Sequence, residues 1–405
     1  MRISLFGYGL TTRAIARHLG GAQTFYDDRT VTPRTDAAGN TILPSDHFDP
    51  EASDLEILTP SIPPRHPLLQ KARNPISEYD FFLAPDTPPR NKPLTIWISG
   101  TNGKTTTTQM LTHLLAHRGA LSGGNIGTPL AALDPAAPIW VLESSSYALH
   151  HTHKAHPDIY VLLPVTPDHL DWHGSAAAYT ADKLRPLQTM REGELALVPK
   201  GLDLPETDAW VVAYDSVAFL ADFFDIDPKR ISFRAAFLED ALLALAVTRT
   251  LFDTVDYDRI NRFTLDHHRQ EEITDRHGRL WVNDSKATNV DATLQALSAY
   301  ADRPLHLILG GDDKGADLTG LMDTIATLPV TLYAVGSNTD TLTAMARARA
   351  ITVHPCTTLA RAVAAIDPQL QPGETALLSP AASSLDQFSS YIKRGEQFME
   401  AVRRI

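Results

Sequence analysis

The sequence predicts an α/β protein of three domains, on the strength of two strand, glycine-turn, helix units and a third run of alternating strands and helices. The first unit is a short apolar β-run, Ile3 to Phe6, that enters GYGLTT and a helical pattern through Ala14, Ile15 and Leu19. A second strand then ends in YDDR. The next unit is Leu94 to Ser99, which enters GTNGKTT and an apolar-periodic helix through Met110, Leu111, Leu114 and Leu115.

Further strands are expected at Ile139 to Leu142 and Ile159 to Pro164, and an alanine-rich helix from Glu239 to Phe252. The last part alternates Leu280 to Val282, a helix around Ala292 to Ala299, His306 to Leu309 and Thr331 to Val335. A proline-rich passage, Pro60 to Pro93, ends like a linker. The expected domains are therefore a Rossmann-like 1–90, a P-loop domain 91–264 and a Rossmann-like 265–405.

Composition narrows the function classes. With 43% hydrophobic and 21% charged residues in 405, the chain has the make-up of a soluble globular protein. A net charge of -12 repels nucleic acid phosphates, so no nucleic acid partner is expected. The one cysteine, Cys356, suits a reducing compartment and is read as a small buried hydrophobe. Gly7, Gly9, Arg13 and Arg17 interrupt the N-terminal apolar run, and no stretch approaches a membrane span. A cytoplasmic monomer is the expected form.

GTNGKTT, Gly100 to Thr106, is the strongest signal: loop amides can cradle phosphates, Lys104 can meet their charge and Thr105 can ligate Mg²⁺. Ile98 stands where the full Walker pattern has glycine. Glu143, delivered by the Ile139 strand, offers a carboxylate to a hard cation beside that loop. GYGLTT, followed by an acid, suits either a nicotinamide dinucleotide or a plain structural turn, since the third glycine of the dinucleotide fingerprint is absent.

Asp168, His169, Asp171 and His173 cluster in VTPDHLDWH, where metal or phosphate chemistry and a chance grouping among 16 histidines both stand. Lys183, in ADKLR, reads by spacing as a solvent-facing charge. Arg269, in LDHHRQE, is a phosphate fork or a surface arginine. NDSKATN, GGDDK and SPAASSLDQF are polar strand-end loops suited to ligand contact, and Ser384 with Gln387 also has capping-box spacing.

In order, GTNGKTT, ESSSY, DHLDWH, ADKLR, HHR, NDSKATN, GGDDK and SLDQF resemble the Mur ligase family over nearly the whole chain. The resemblance implies an ATP-dependent, amide-forming ligase that activates a carboxylate as an acyl phosphate and passes through a tetrahedral intermediate. NDSKATN with SPAASSLDQF resembles the branch that adds D-glutamate, which implies UDP-N-acetylmuramoyl-L-alanine as the other acceptor.

By the same resemblance Gly100, Thr101, Asn102, Gly103, Lys104, Thr105, Thr106, Arg269 and Asp284 hold ATP. Thr105 and Glu143 take one Mg²⁺, while His169 and a carbamylated Lys183 take a second, which reverses the surface reading of Lys183. Leu10, Thr11, Asp27 and Arg29 correspond to a uridine diphosphate pocket, and Asn125 to a contact near the second metal and the acyl group. Lys286, Thr288, Lys314, Ser384, Leu385 and Tyr391 surround the glutamate.

Ala148, Trp172, Asp313, Tyr391 and FRAAFLED depart from the family pattern, leaving Asp240 as the candidate adenine contact. A relative that adds another amino acid, and a P-loop module that senses nucleotide without ligating, are the competing readings.

Overall fold

The computed structural model describes residues 1–86 and 92–405. The expected first boundary, at residues 90 and 91, lies outside the described residues.

Among the described residues, three six-stranded sheets organise the chain. The first runs Arg34–Thr35, Thr41–Leu43, Thr24–Tyr26, Ile3–Phe6, Leu55–Leu58, Pro75–Ile76 and is parallel except at its first pair. The second is wholly parallel: Trp210–Tyr214, Leu195–Pro199, Ile159–Leu162, Leu94–Ser99, Ile139–Glu143, Ala120–Gly124. The third runs Glu271–Thr274, Leu280–Asn283, Thr375–Leu378, Leu305–Leu309, Val330–Val335, Val353–Thr357, with only the first pair antiparallel.

Two compact units result. Met1–Ser232 with Phe237–Phe263 holds the first two sheets, and Phe233–Ala236 with Thr264–Ile405 holds the third.

Continuous apolar runs form the central strands because both faces of a parallel sheet are covered. In the second sheet Ile96, Trp97 and Ile98 are all fully buried, as are Tyr160 and Val161 beside them. In the third, Leu305, Leu307 and Leu309 join one apolar cluster while Ile308 joins the other, which is the two-residue period of a strand. Cys356 is buried in the latter cluster. The helix expected from Glu239 begins earlier, at Ala235, and ends at Phe252 as expected. Among the described residues no helix is long and apolar enough to cross a membrane.

Register decides what the second sheet presents. Ile98 and Gly124 both pair with Glu143, and Ser99 pairs with Leu162. The loops that follow these strands therefore leave the same end of one sheet, the position where parallel α/β sheets collect ligands. Helix Glu78–Leu83 packs against the second sheet through Tyr79, whose ring lies edge-on to Trp97 at 4.6 Å. Its Asp80 carboxylate accepts three backbone N–H groups, from His153, Lys154 and Ala155.

Candidate active site

The phosphate-loop candidate is built on two glycines in the left-handed region, Gly100 (φ +142) and Gly103 (φ +83). A Cβ at Gly100 would stand 2.5 Å from the Leu163 side chain, and one at Gly103 2.7 Å from Asp240 Oδ1, so only glycine fits either place. Helix Lys104–Leu115 starts at once, aiming its free N–H groups back over the loop. Lys104 Nζ folds onto its own loop and donates to the carbonyls of Gly100 and Thr101, at 2.9 and 2.7 Å. Thr101 Oγ1 donates to Thr166 O and accepts from the Thr166 N–H, tying this loop to the one after Leu162. Asp240, the candidate adenine contact, is buried against the same loop and accepts from Thr107 Oγ1 at 2.9 Å.

Glu143 is 3% exposed, and Asn125 Nδ2 donates to its Oε1 at 2.7 Å. Its other oxygen, Oε2, is buried without a hydrogen-bond partner, as is the Thr106 hydroxyl on the adjoining helix. Buried polar atoms are seldom left unmet, and a half-satisfied carboxylate beside a phosphate loop fits a hard cation. Among the described residues no three His, Cys, Asp or Glu side chains group closely enough to hold a metal alone. Such a cation would draw its remaining oxygens from hydroxyls, phosphate or water, as magnesium does. Tyr79 hydroxyl lies 3.0 Å from Ser144 Oγ and keeps the Glu143 turn in place.

Lys183, expected at the surface on spacing alone, is 1% exposed. Its Nζ donates to Gly100 O at 2.7 Å and lies 4.6 Å from the Tyr179 ring centre. Burial, and then the neighbouring charge of Lys104, hold this amine well below the usual lysine range. His169 has the left-handed φ of 53° and lies across Tyr179 with ring centres 6.4 Å apart, its side chain half-exposed. The structure thus sets His169 and Lys183 about one tyrosine, next to the loop.

In the first sheet, Leu10 and Thr11 open helix Leu10–Leu19, and Asp27 and Arg29 follow strand Thr24–Tyr26. Asp27 accepts the N–H of Tyr8 at 2.8 Å and that of Arg29 at 3.0 Å, drawing the glycine turn and the acid together.

The remaining candidates lie in the second unit. Asp284 is 6% exposed, and burial pushes its carboxyl up to about 7 against hydrogen bonds from Ser379 and Gln270 and the nearby charge of Arg269. Arg269 Nε is itself buried without a partner. Lys286 Nζ lies 5.8 Å from the Tyr391 ring centre. The loops bearing Lys314 and Ser384 are joined by the Asp312–Ser383 backbone bridge. Thr288 and Leu385 are exposed, Leu385 by 65%.

Sequence reasoning missed Arg394. It is 3% exposed and donates to Ser285 Oγ, Ser285 O and Ala382 O, binding two of these loops together, and burial pulls its guanidinium down to about 10. The only signal was the following Gly395, where a Cβ would stand 2.2 Å from His268 Nδ1.

Residues 98–210 match the Mur ligase middle domain, and residues 268–382 the Mur ligase glutamate ligase domain. The chain is 49% identical over 408 residues to a UDP-N-acetylmuramoylalanine–D-glutamate ligase of Campylobacter jejuni, covering 100% of both. The chain belongs to the Mur ligase family.

Another enzyme of the same name, from Helicobacter pylori, is 43% identical to this Mur ligase over 98% of each chain. The fold matches a MurF ligase from Thermotoga maritima in complex with ADP, at TM-score 0.58 and 15% identity, over 95% of this chain and 94% of that one. A UDP-N-acetylmuramate–alanine ligase from the same organism matches at TM-score 0.54 and 15% identity, over 99% and 98%. Both share with this Mur ligase the fold.

Proposed function

We propose that this chain is the ATP-dependent ligase that joins D-glutamate to UDP-N-acetylmuramoyl-L-alanine, a step in building bacterial cell-wall precursor. The 49% identity to an enzyme of that name over all of both chains carries the reading. The shared end of the central sheet, with Lys104, Glu143 and Lys183 around the Gly100 loop, supports it. The lone cysteine accords with a cytoplasmic setting.

In this reading residues 1–90 receive the UDP-sugar through Leu10, Thr11, Asp27 and Arg29. Residues 91–264 bind ATP on the Gly100 to Thr106 amides, with Lys104 turning from its own carbonyls to the phosphates. Residues 265–405 supply Arg269 and Asp284 to the nucleotide, and Lys286, Thr288, Lys314, Ser384, Leu385 and Tyr391 to D-glutamate.

The acceptor carboxylate takes the γ-phosphoryl group and ADP leaves. The glutamate amine then attacks the acyl carbon, loses a proton, and phosphate departs with the C–O electron pair. The residues contribute positioning and charge.

Thr105 and Glu143 would hold one magnesium ion, and His169 and Lys183 a second, with Asn125 close by through its bond to Glu143. The ions would neutralise phosphate charge. Burial favours the neutral Lys183 amine, which can add carbon dioxide, release a proton and present an anionic oxygen.

An amino-acid panel with the UDP-sugar acceptor tests the assignment. Incorporation of D-glutamate above all others is expected, and preference for L-alanine or a diamino acid would overturn it.

A further inference from the structure

The His173 side chain is fully buried, and its two ring nitrogens reach two different segments. Nδ1 lies 2.8 Å from Asp182 Oδ2, and Nε2 lies 3.0 Å from Ser146 Oγ. Asp182 directly precedes Lys183, Ser146 opens the helix Ser146–His150 that follows the Glu143 turn, and His173 ends the short helix Leu170–His173 that follows His169. One imidazole therefore touches or belongs to the three segments that bear Glu143, His169 and Lys183. Asp182 also meets His150 Nδ1 at 2.8 Å and Arg185 at 2.9 Å, so it is satisfied on every side.

Acid, imidazole and hydroxyl in this order are the connectivity of a hydrolytic triad. Access rules that use out: Ser146 is 3% exposed and no acyl group can reach it. The bonds instead hold geometry. A carboxylate only accepts, so Nδ1 carries the proton toward Asp182, and Nε2 of the neutral ring accepts the Ser146 hydroxyl. The ring is thereby fixed from both ends, as outer partners fix the ligands of metal sites. The same helix, Ala176–Leu184, bears both Asp182 and Lys183 and is buried through Tyr179 and Leu184, so the His173 contact adds to a packed face.

We propose that the Asp182, His173, Ser146 chain is a positioning device that sets the separation of the Lys183 helix from the Glu143 turn, and with it the spacing of the magnesium-binding groups. This rests on the metal reading above. His173, Asp182 and Ser146 act through other residues and touch no substrate.

The test is a Mn²⁺ titration of the intact protein with a non-hydrolysable ATP analogue, followed by electron paramagnetic resonance. Ser146→Ala and Asp182→Asn are expected to weaken Mn²⁺ binding by on the order of tenfold, the lower end of what losing a direct partner of a metal ligand costs, because they act one residue further out. The KM for the UDP-sugar acceptor should stay at the wild-type value. His173→Asn, which can keep the Asp182 bond and lose the Ser146 one, should resemble Ser146→Ala. Wild-type Mn²⁺ affinity in Ser146→Ala and Asp182→Asn would overturn the proposal, and Ser146→Ala decides alone if the buried Asp182 variant fails to fold. A wild-type protein that binds no Mn²⁺ with the analogue would instead remove the metal reading itself.

Discussion

Lys104 and Lys183 donate to the same oxygen, the carbonyl of Gly100, at 2.9 and 2.7 Å. Two ammonium groups on one carbonyl repel, and the buried partner, Lys183, is the one that loses its charge more readily. The Lys183→Ala enzyme is expected to lose ligation by on the order of a hundredfold or more, with partial rescue by a short carboxylic acid. Full activity without rescue would refute a carbamate at this position.

Glu143 has one oxygen on Asn125 and the other without a partner. Glu143→Gln should raise the magnesium concentration needed for half-maximal rate by roughly tenfold or more, and Asn125→Ala by less. Magnesium titrations of initial rate distinguish this from a structural role, which would lower the rate at every magnesium level alike.

Gly100→Ala should destabilise by about 1 to 3 kcal/mol, since the new Cβ meets Leu163 at 2.5 Å in a left-handed backbone. Gly127 also has positive φ, +115, but nothing lies within 4 Å of its Cβ position. Urea unfolding should find Gly127→Ala the milder of the two.

Asp284 has a raised carboxyl pKa of about 7, so the folded state holds its proton more tightly than the unfolded chain does. The associated stability is complete below the unfolded value of 3.8 and is lost as pH climbs through about 7. Asp284→Asn keeps a neutral group there and should gain on the wild type between pH 5 and pH 8. Thermal melts at the two values check the sign.

Much of the architecture was legible because it is local. The buried run Leu94–Ser99, the glycine loop and the periodic helix after it follow from adjacent residues alone. The burial of Lys183 was not, because ADKLR has the pattern of a surface helix and the burial comes from Gly100 and Tyr179, distant in sequence for the one and a helix turn away for the other. Arg394 was invisible for the same reason: its partners, Ser285 and Ala382, lie on loops far along the chain from one another. The residues alone left Arg269 open between a phosphate fork and a surface arginine, and the nucleotide role of Asp284 came only through family resemblance. Nothing in their spacing announces an unpartnered Nε beside a buried acid.

The most direct measurement of the central claim is ADP release, followed with ATP, magnesium, UDP-N-acetylmuramoyl-L-alanine and D-glutamate, for the wild type and for Lys104→Ala. The expected result is release that needs both acceptors in the wild type, does not respond to L-glutamate, and falls by on the order of a hundredfold or more without Lys104. Release indifferent to the acceptors, or undiminished in Lys104→Ala, would contradict it.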